Sequence, residues 1–376
     1  MRKILFIIRD FKQGGIPRCL QSLLPCLDNE RFDVDLLCLH QDGPYKNKIK
    51  NCNIINQDRV LYHLLAFSKN VGLLRDFWTF SYKLYDRVLK ITTQKSLLLR
   101  RIDLIGKRLS GKYDVVIAYS EGIAAQMASK ISCGRKLVWI HNDYSFDCAR
   151  GDSGTSFDSF DKIVCVSYAT QRSFVGVFPQ FKEKTCTIYN IINDKFILDS
   201  AKEGTVEISK NYFNIISVGR ICYQKNFIII PKILSSVRNR VGDVVKWYIC
   251  GSGPEDEVLL LKQEINKYNL SDYCILLGAK DNPYPYISEA DLFVMTSHYE
   301  SYPTVINEAM VLGTPIISID IPSAYEMLDK SRVHPLKEIP NAIGNEIQAP
   351  KRPIVWKGAE KHNKGVISEV EKLLND

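Results

Sequence analysis

Short apolar runs alternate with amphipathic stretches along most of the chain. Ile4 to Ile8, Val34 to Leu39, Val115 to Ala118, Leu137 to Ile140, Ile163 to Val166 and Thr185 to Tyr189 read as buried strands. Each is a brief run of mostly apolar residues between polar or turn-forming ones. Between them, Pro17 to Leu27, Glu121 to Ile131 and Tyr168 to Phe178 read as helices; in the first, Ile16, Leu20, Leu23, Leu24 and Leu27 share one face. A second series begins at Phe213, with strands at Phe213 to Val218, Val244 to Cys250, Cys274 to Leu277, Asp291 to Met295 and Ile316 to Ile319. Helices are expected at Phe227 to Arg238, Glu255 to Tyr268 and Tyr284 to Ala290. This alternation predicts an α/β chain of two doubly wound parallel-sheet domains with helices on both faces.

Three stretches break the pattern. Roughly 45–112 reads as an irregular excursion rich in Leu, Phe and Tyr, and its second half carries Lys83, Arg87, Lys90, Lys95, Arg100, Arg101, Lys107, Arg108 and Lys112 against Asp86 and Asp103. Residues 193–210 are polar and unpatterned, which marks a linker. Residues 329–353 are weakly patterned, with a closing helix expected over Lys364 to Leu374. The expected organisation is a first domain over 1–192, the linker, a second domain over 211–350 and a tail over 351–376.

The stretch Ser297 to Gly313 is the most informative. Pro303 suits the first turn of a helix, Val305, Ile306, Ala309 and Met310 form its apolar stripe, and Gly313 can end it. Glu300 precedes this helix and Glu308 lies about one turn inside, so the two carboxylates bracket a helix start whose free N–H groups favour an anion. Carboxylates accept hydrogen bonds, so they suit the hydroxyls of such a ligand.

In open α/β sheets ligands bind beyond the carboxyl ends of the strands. Nearly every such end here carries chemistry: Gly14-Gly15, Ser120-Glu121 and His141-Asn142-Asp143 in the first series; Gly219-Arg220 with Lys225, Gly251-Ser252-Gly253, Gly278 and Glu300 in the second. Two such rims facing across a linker predict a cleft site. Glycines admit close approach of a ligand, and Arg220 and Lys225 supply positive charge for a diphosphate. Each feature also has a plainer reading: Gly14-Gly15 and Gly251-Ser252-Gly253 as ordinary turns, His141 as a satisfied structural histidine, Arg220 and Lys225 as solvated charges. Asp33 and Asp35 resemble a metal-binding pair but begin a strand, at the wrong end of the sheet, and no His/Cys cluster has zinc spacing.

Composition narrows the classes further. The net charge of +8, from 50 basic and 42 acidic residues, permits anionic small molecules or a membrane surface without requiring nucleic acid, for which no binding motif is present. The 11 cysteines, without a Cys-x-x-Cys pair, read as buried hydrophobes of a reducing compartment. Ile4 to Ile8 is too short for a signal peptide's apolar region, and no apolar run approaches the ~18 residues of a membrane span.

Val218-Gly219-Arg220 with Lys225, then Gly251-Ser252-Gly253, then Glu300 and Glu308 with Pro303 and Gly313-Thr314-Pro315, in that order, resemble the glycosyl transferases group 1 family. The likeness covers about residues 1–328. It implies the GT-B architecture, two Rossmann-like domains facing across a cleft, and a retaining, metal-independent glycosyltransferase with no cofactor beyond its nucleotide-sugar substrate.

By that resemblance Arg220 and Lys225 would hold the donor diphosphate, Glu300 the sugar hydroxyls and Glu308 the ribose. His141 would lie near the reacting carbon, giving His141, Glu300, Arg220 and Lys225 catalytic roles. Gly15, Gly219, Gly251, Gly253, Gly278, Ser301, Tyr302, Pro303, Thr304 and Val305 complete the expected donor site, with Gly14, Asn142 and Asp143 on the acceptor side. Ser301 stands where the family commonly has glycine, and Ile16-Pro17-Arg18 replaces the usual small and acidic residues.

The expected reaction moves a hexose-type sugar from a UDP-sugar to a saccharide or lipid-linked saccharide in surface polysaccharide biosynthesis. Alternatives are a nucleotide-sugar epimerase on the same fold and a non-catalytic donor-binding subunit; a dinucleotide oxidoreductase lacks its third glycine. The expected location is cytoplasmic and peripheral on the inner face of the plasma membrane. Residues of about 70–112 either meet an anionic membrane surface or are solvated helix faces.

Overall fold

A computed structural model describes all residues except 13, 67–72, 94–95, 148–156, 205, 207, 350–357 and 376. The chain forms two compact units, 1–191 together with 364–376, and 192–363. Both are built as the alternation predicts.

In the first unit the strands are β1 (Arg2–Asp10), β2 (Phe32–His40), β3 (Asn53–Ile54), β4 (Val115–Ala118), β5 (Arg135–Ile140), β6 (Lys162–Cys165) and β7 (Thr185–Thr187). They pair in parallel in the order β3-β2-β1-β4-β5-β6-β7, with Ile4 facing Val34 on one side and Val115 on the other. Leu5, Ile7, Val116, Val138 and Ile163 have no exposed surface, as expected of a sheet covered on both faces. The strand order reverses between β1 and β4, the position at which open α/β sheets bind ligands.

In the second unit β8 (Phe213–Val218), β9 (Val245–Cys250), β10 (Cys274–Gly278), β11 (Leu292–Met295), β12 (Ile316–Ile319) and β13 (Val333–His334) pair in parallel in the order β10-β9-β8-β11-β12-β13. The buried Trp247 donates from Nε1 to Ser217 Oγ at 3.0 Å, and Ser217 Oγ donates to the Val294 carbonyl at 2.6 Å. One hydroxyl therefore ties β9, β8 and β11 together beneath this sheet's own reversal point, between β8 and β11.

Several expectations change. The excursion over 45–112 is not irregular: it contains the helices Arg59–Leu65, Leu73–Thr93 and Leu97–Leu109 and the short edge strand β3. Its basic residue Lys95 and residues 70–72 lie outside the described residues. The stretch read as a linker opens with a helix, Asp194–Ala201, whose N-cap Asn193 accepts from the Phe196 N–H at 3.1 Å. That cap was readable, but polar residues on an eight-residue helix masked its period. The weakly patterned region holds β13 and the helix Ile339–Gln348. The first helix runs Gly15–Leu23 and continues as a single tight turn, Leu24–Cys26, because Pro25 has no N–H to extend it.

The closing helix spans Ala359–Asn375. Within the second unit Asn363 both accepts from the Ile192 N–H at 2.9 Å and donates to the Ile192 carbonyl at 2.7 Å. Within the first unit Glu371 pairs with Arg31 at 2.7 Å, and Arg2 donates to the Leu374 carbonyl.

Candidate active site

The loops leaving β8 and β11 meet at the reversal point of the second sheet. After β8 the chain passes Gly219 and Arg220, makes one tight turn over Tyr223–Lys225 and reverses through Asn226, whose left-handed backbone (φ 52°) a short polar side chain tolerates. After β11 it runs Thr296 to Pro303 into the helix Thr304–Leu312.

The two loops are bound to one another. The His298 N–H donates to the Gln224 carbonyl at 2.8 Å, Thr296 Oγ1 donates to the Lys225 carbonyl at 2.9 Å, and Gln224 Nε2 donates to the Tyr299 carbonyl at 3.2 Å. The rings of Tyr223 and His298 lie 4.7 Å apart.

Lys225 and Glu300 stand at the centre of this contact. Lys225 Nζ lies 2.5 Å from Glu300 Oε1, which also accepts from Ser297 Oγ at 2.7 Å, while Gln224 Nε2 reaches Oε2 at 3.4 Å. The lysine stem crosses Gly219: a Cβ there would come within 3.3 Å of Lys225 Cε, so the glycine leaves the lysine its path. Ser297 is buried, whereas Arg220 is exposed and has no ion pair or side-chain hydrogen bond among the described residues. The site thus combines one oriented cation–carboxylate pair with one free cation.

The helix that follows starts as expected but is capped without side-chain help. Pro303 sits at the cap position, Thr304 and Val305 are half-buried, and the first-turn backbone donors receive no side-chain acceptor. Ile306 and Ala309 are fully buried and Glu308 is 3% exposed. Tyr302 and Ser301 are half-buried, with the Tyr302 hydroxyl accepting from Asn307 Nδ2 at 3.1 Å. Gly313 ends the helix at φ 74°, where its N–H and that of Thr314 bond to the Met310 and Ala309 carbonyls.

The glycines divide into two kinds. A Cβ on Gly251 would lie 1.8 Å from the Gly219 carbonyl oxygen, and one on Gly253 would lie 1.8 Å from the Ile221 carbonyl oxygen. These two glycines are demanded by the chain itself, where the exits of β8 and β9 cross and the Ile221 N–H donates to Ser252 at 2.9 Å. Gly278 is required by its positive φ of 71°. Gly14 and Gly15, after β1, have open space where a Cβ would stand, and the Gly14 backbone is extended. Among the described residues, nothing packed against that pair requires glycine.

On the first sheet, Glu121 lies three residues beyond the end of β4 and His141 directly follows β5. Glu121 Oε2 accepts from the His141 N–H at 3.0 Å and Oε1 accepts from Asn142 Nδ2, which fixes the loop after β5. The His141 ring packs edge-on against Tyr119 at 5.1 Å, and its buried Nε2 has no hydrogen-bond partner. Burial lowers its pKa to about 3, so the imidazole is neutral at ordinary pH. Asp143 serves the next turn: Oδ1 accepts from the Ser145 N–H at 3.0 Å, from Ser145 Oγ at 2.6 Å and from Ser173 Oγ. Asn142 is exposed.

Sequence reasoning placed Glu121 on a chemistry-bearing strand end and Ser297 at the start of the informative stretch without giving either a role, and it did not name Gln224. Ser297 and Gln224 flank Glu300 and Lys225 closely enough to have been given one; Glu121 reaches a residue 20 positions away, which no local pattern reveals. Among the described residues no group of three or more His, Cys, Asp or Glu side chains is placed to hold a metal ion, and Asp35 accepts from the Tyr113 hydroxyl at 2.6 Å. Ten cysteines are free thiols; Cys148 lies outside the described residues.

Two Rossmann-like parallel sheets of this order give the chain the fold of the GT-B class of α/β protein. The chain superposes on Anabaena HepE in complex with UDP and glucose with a TM-score of 0.72 over 100% of both chains at 19% identity. It also superposes on Staphylococcus aureus TarM with a TM-score of 0.69 over 100% of this chain and 99% of that one, at 14% identity.

The family model for glycosyl transferases group 1 matches residues 201–333. The chain is 32% identical to the amylovoran biosynthesis glycosyltransferase AmsD of Erwinia amylovora, covering 85% of this chain and 81% of that one. It is 24% identical, over 91% of this chain and 87% of the other, to a Campylobacter jejuni enzyme named N-acetylgalactosamine-N,N'-diacetylbacillosaminyl-diphospho-undecaprenol 4-alpha-N-acetylgalactosaminyltransferase. The chain belongs to the glycosyl transferases group 1 family and is a glycosyltransferase. The epimerase alternative finds no support among these relatives.

Proposed function

We propose that the chain is a retaining, metal-independent hexosyltransferase that takes its sugar from a nucleoside diphosphate donor, UDP foremost, and passes it to a saccharide or lipid-linked saccharide acceptor in surface polysaccharide synthesis. The observation that carries this reading is the Lys225–Glu300 pair, held by Ser297 and Gln224 at the reversal point of the second sheet. A diphosphate draws Lys225 toward itself and frees Glu300 to accept from the sugar hydroxyls, so both partners exchange one charge-assisted contact for another. Arg220 adds the second cation, the start of the helix Thr304–Leu312 adds its dipole, and Glu308 on that helix accepts from the ribose.

In the reaction the bond from the anomeric carbon to the diphosphate oxygen breaks and a bond to the acceptor oxygen forms on the same face. The acceptor's proton passes to the departing phosphate oxygen. Neutral His141 lines the reacting carbon, while Gly14, Asn142 and Asp143 border the acceptor and Gly15, Gly219, Gly251, Gly253 and Gly278 leave backbone room for the donor. The names of the relatives support a surface glycan as product and a polyprenol-linked acceptor, and the UDP in the HepE crystals supports the donor base.

The protein then works in the cytoplasm, peripherally on the inner face of the plasma membrane, through the region of about 70–112. No helix of the described residues is long and apolar enough to cross a membrane.

Thermal unfolding against a panel of UDP- and GDP-sugars tests the donor, because a ligand that prefers the folded state raises the midpoint. NMR of the product's anomeric proton tests the stereochemistry: an inverted anomer overturns the mechanism, and turnover abolished by EDTA overturns metal independence.

A further inference from the structure

We propose that Tyr223 and His298 are positioning residues for the transfer reaction: their exposed rings hold the Lys225 and Glu300 loops in register while the ion pair between those two is exchanged for the donor. The inference rests on the donor reading given above and gives a role to two side chains that reading leaves unused. β8 and β11 pair in parallel, Ile215 with Leu292 and Ile216 with Phe293, and their exits come side by side again at the site. There three successive residues of one loop each meet the residue of matching order in the other. The Tyr223 and His298 rings stand 4.7 Å apart at a tilt of 31°. Gln224 Nε2 donates to the Tyr299 carbonyl at 3.2 Å, and Lys225 Nζ pairs with Glu300 Oε1 at 2.5 Å. The His298 N–H, donating to the Gln224 carbonyl at 2.8 Å, ties the first rung to the second.

Packing does not call for the outermost rung. Tyr223 is 66% exposed and His298 is exposed, so neither ring adds much buried apolar area to the core. Nor are their polar atoms in use: among the described residues the Tyr223 hydroxyl and the His298 ring nitrogens have no hydrogen bond or ion pair. What each ring does have is the other. At 4.7 Å the pair lies within the range, about 4.5–7 Å, over which aromatic rings attract beyond their buried area.

The exchange at the inner rung explains the use of such a contact. When a donor draws Lys225 to its diphosphate and Glu300 to its sugar, the innermost rung opens just as loop spacing matters most. The middle rung is tied to the same event, because the Gln224 Nε2 that bonds the Tyr299 carbonyl also reaches Glu300 Oε2 at 3.4 Å. Thr296 Oγ1, bonded to the Lys225 carbonyl at 2.9 Å, anchors the inner end of the ladder. Anchored there alone, the two loops are free to splay. The ring pair bonds to neither group that moves, so it anchors the outer end throughout. Misplacing a reacting group by about 1 Å costs up to about a hundredfold in rate, which is the scale on which such an anchor acts.

The test is alanine and phenylalanine replacement at both positions in the full chain, read by steady-state kinetics, thermal unfolding and amide hydrogen exchange. Tyr223→Ala and His298→Ala are each expected to lower kcat about tenfold, with the KM for donor within about threefold and the melting midpoint unchanged. Tyr223→Phe and His298→Phe keep a ring without its polar atoms and are expected to recover most of that kcat. The double alanine variant is expected to lose no more than either single variant, because each removes the same contact. In the unliganded chain either alanine variant should speed exchange of the residue 298 amide and leave β8 and β11 protected.

A loss in Tyr223→Phe as large as in Tyr223→Ala overturns the proposal, because the hydroxyl then serves a ligand. So do additive losses in the double variant, wild-type kcat in either alanine variant, a rise confined to the KM for acceptor, or unchanged amide exchange. The donor reading fails separately: a wild type that no UDP- or GDP-sugar stabilises strikes that reading, while exchange in the unliganded chain still decides whether the rings hold the loops.

Discussion

Lys225 Nζ and Glu300 Oε1 lie 2.5 Å apart across two loops that leave β8 and β11, the strands between which the second sheet reverses its order. Their side chains are 19% and 8% exposed, so the pair is shielded enough to be worth more than a surface ion pair. Replacing Glu300 by Gln keeps the shape and removes the charge that accepts from the sugar. Turnover is expected to fall about a hundredfold or more while nucleotide affinity, measured by calorimetry, stays within a few-fold. Lys225→Ala should do the reverse, raising the KM for donor about tenfold or more as a charge-assisted contact is lost. Full activity in Glu300→Gln would remove it from the active site.

Ser297 and Gln224 act through Glu300. Ser297→Ala removes a 2.7 Å hydrogen bond to Oε1, and is expected to lower kcat about tenfold with little change in the KM for donor, at a stability cost of about 1 kcal/mol. Ser297→Thr, which restores the hydroxyl, should recover part of kcat. A loss of stability without the kcat effect would make Ser297 purely structural.

The two kinds of glycine give opposite expectations. Gly251→Ala and Gly253→Ala force a methyl against a backbone oxygen and should destabilise the fold by about 3 kcal/mol, the upper part of the range for overpacking. Gly15→Ala, in open space at a helix start, should leave the melting midpoint unchanged or raised and still lower turnover. Denaturant titration beside initial-rate assays separates the two; normal turnover in Gly15→Ala would return Gly14-Gly15 to an ordinary turn.

His141 sets a pH dependence whose sign follows from burial. Its pKa falls to about 3 in the folded chain from 6.5, so above pH 6.5 it is neutral in both states and contributes nothing. Below that the unfolded chain binds a proton that the folded chain refuses. Stability is lost at about 1.4 kcal/mol per pH unit until the folded histidine titrates. His141→Gln should therefore narrow the gap between denaturant midpoints at pH 7 and pH 5. The wild-type rate profile should show no inflection from this residue near pH 6.5, and an inflection there that His141→Gln removes would contradict a neutral imidazole.

The sequence by itself determined the two parallel sheets, most strand positions and the loops where polar residues collect, because these depend on local period and on the rule that ligands bind beyond strand ends. It also determined the order of Arg220, Lys225, Glu300 and Glu308 that carries the family resemblance. Tertiary structure decided which of those residues touch. The glycines at 251 and 253 are required because two strand exits cross, a fact absent from either segment alone. Glu121 became part of the site because it reaches the backbone of His141 from a neighbouring strand end, and residues 364–376 joined the first unit because Arg31 and Arg2 hold them there. The pairing of Tyr223 with His298 was equally hidden: the two residues are distant in sequence, and only the neighbouring exits of β8 and β11 bring their rings together. Contacts between distant segments decide these features, and local pattern cannot encode them.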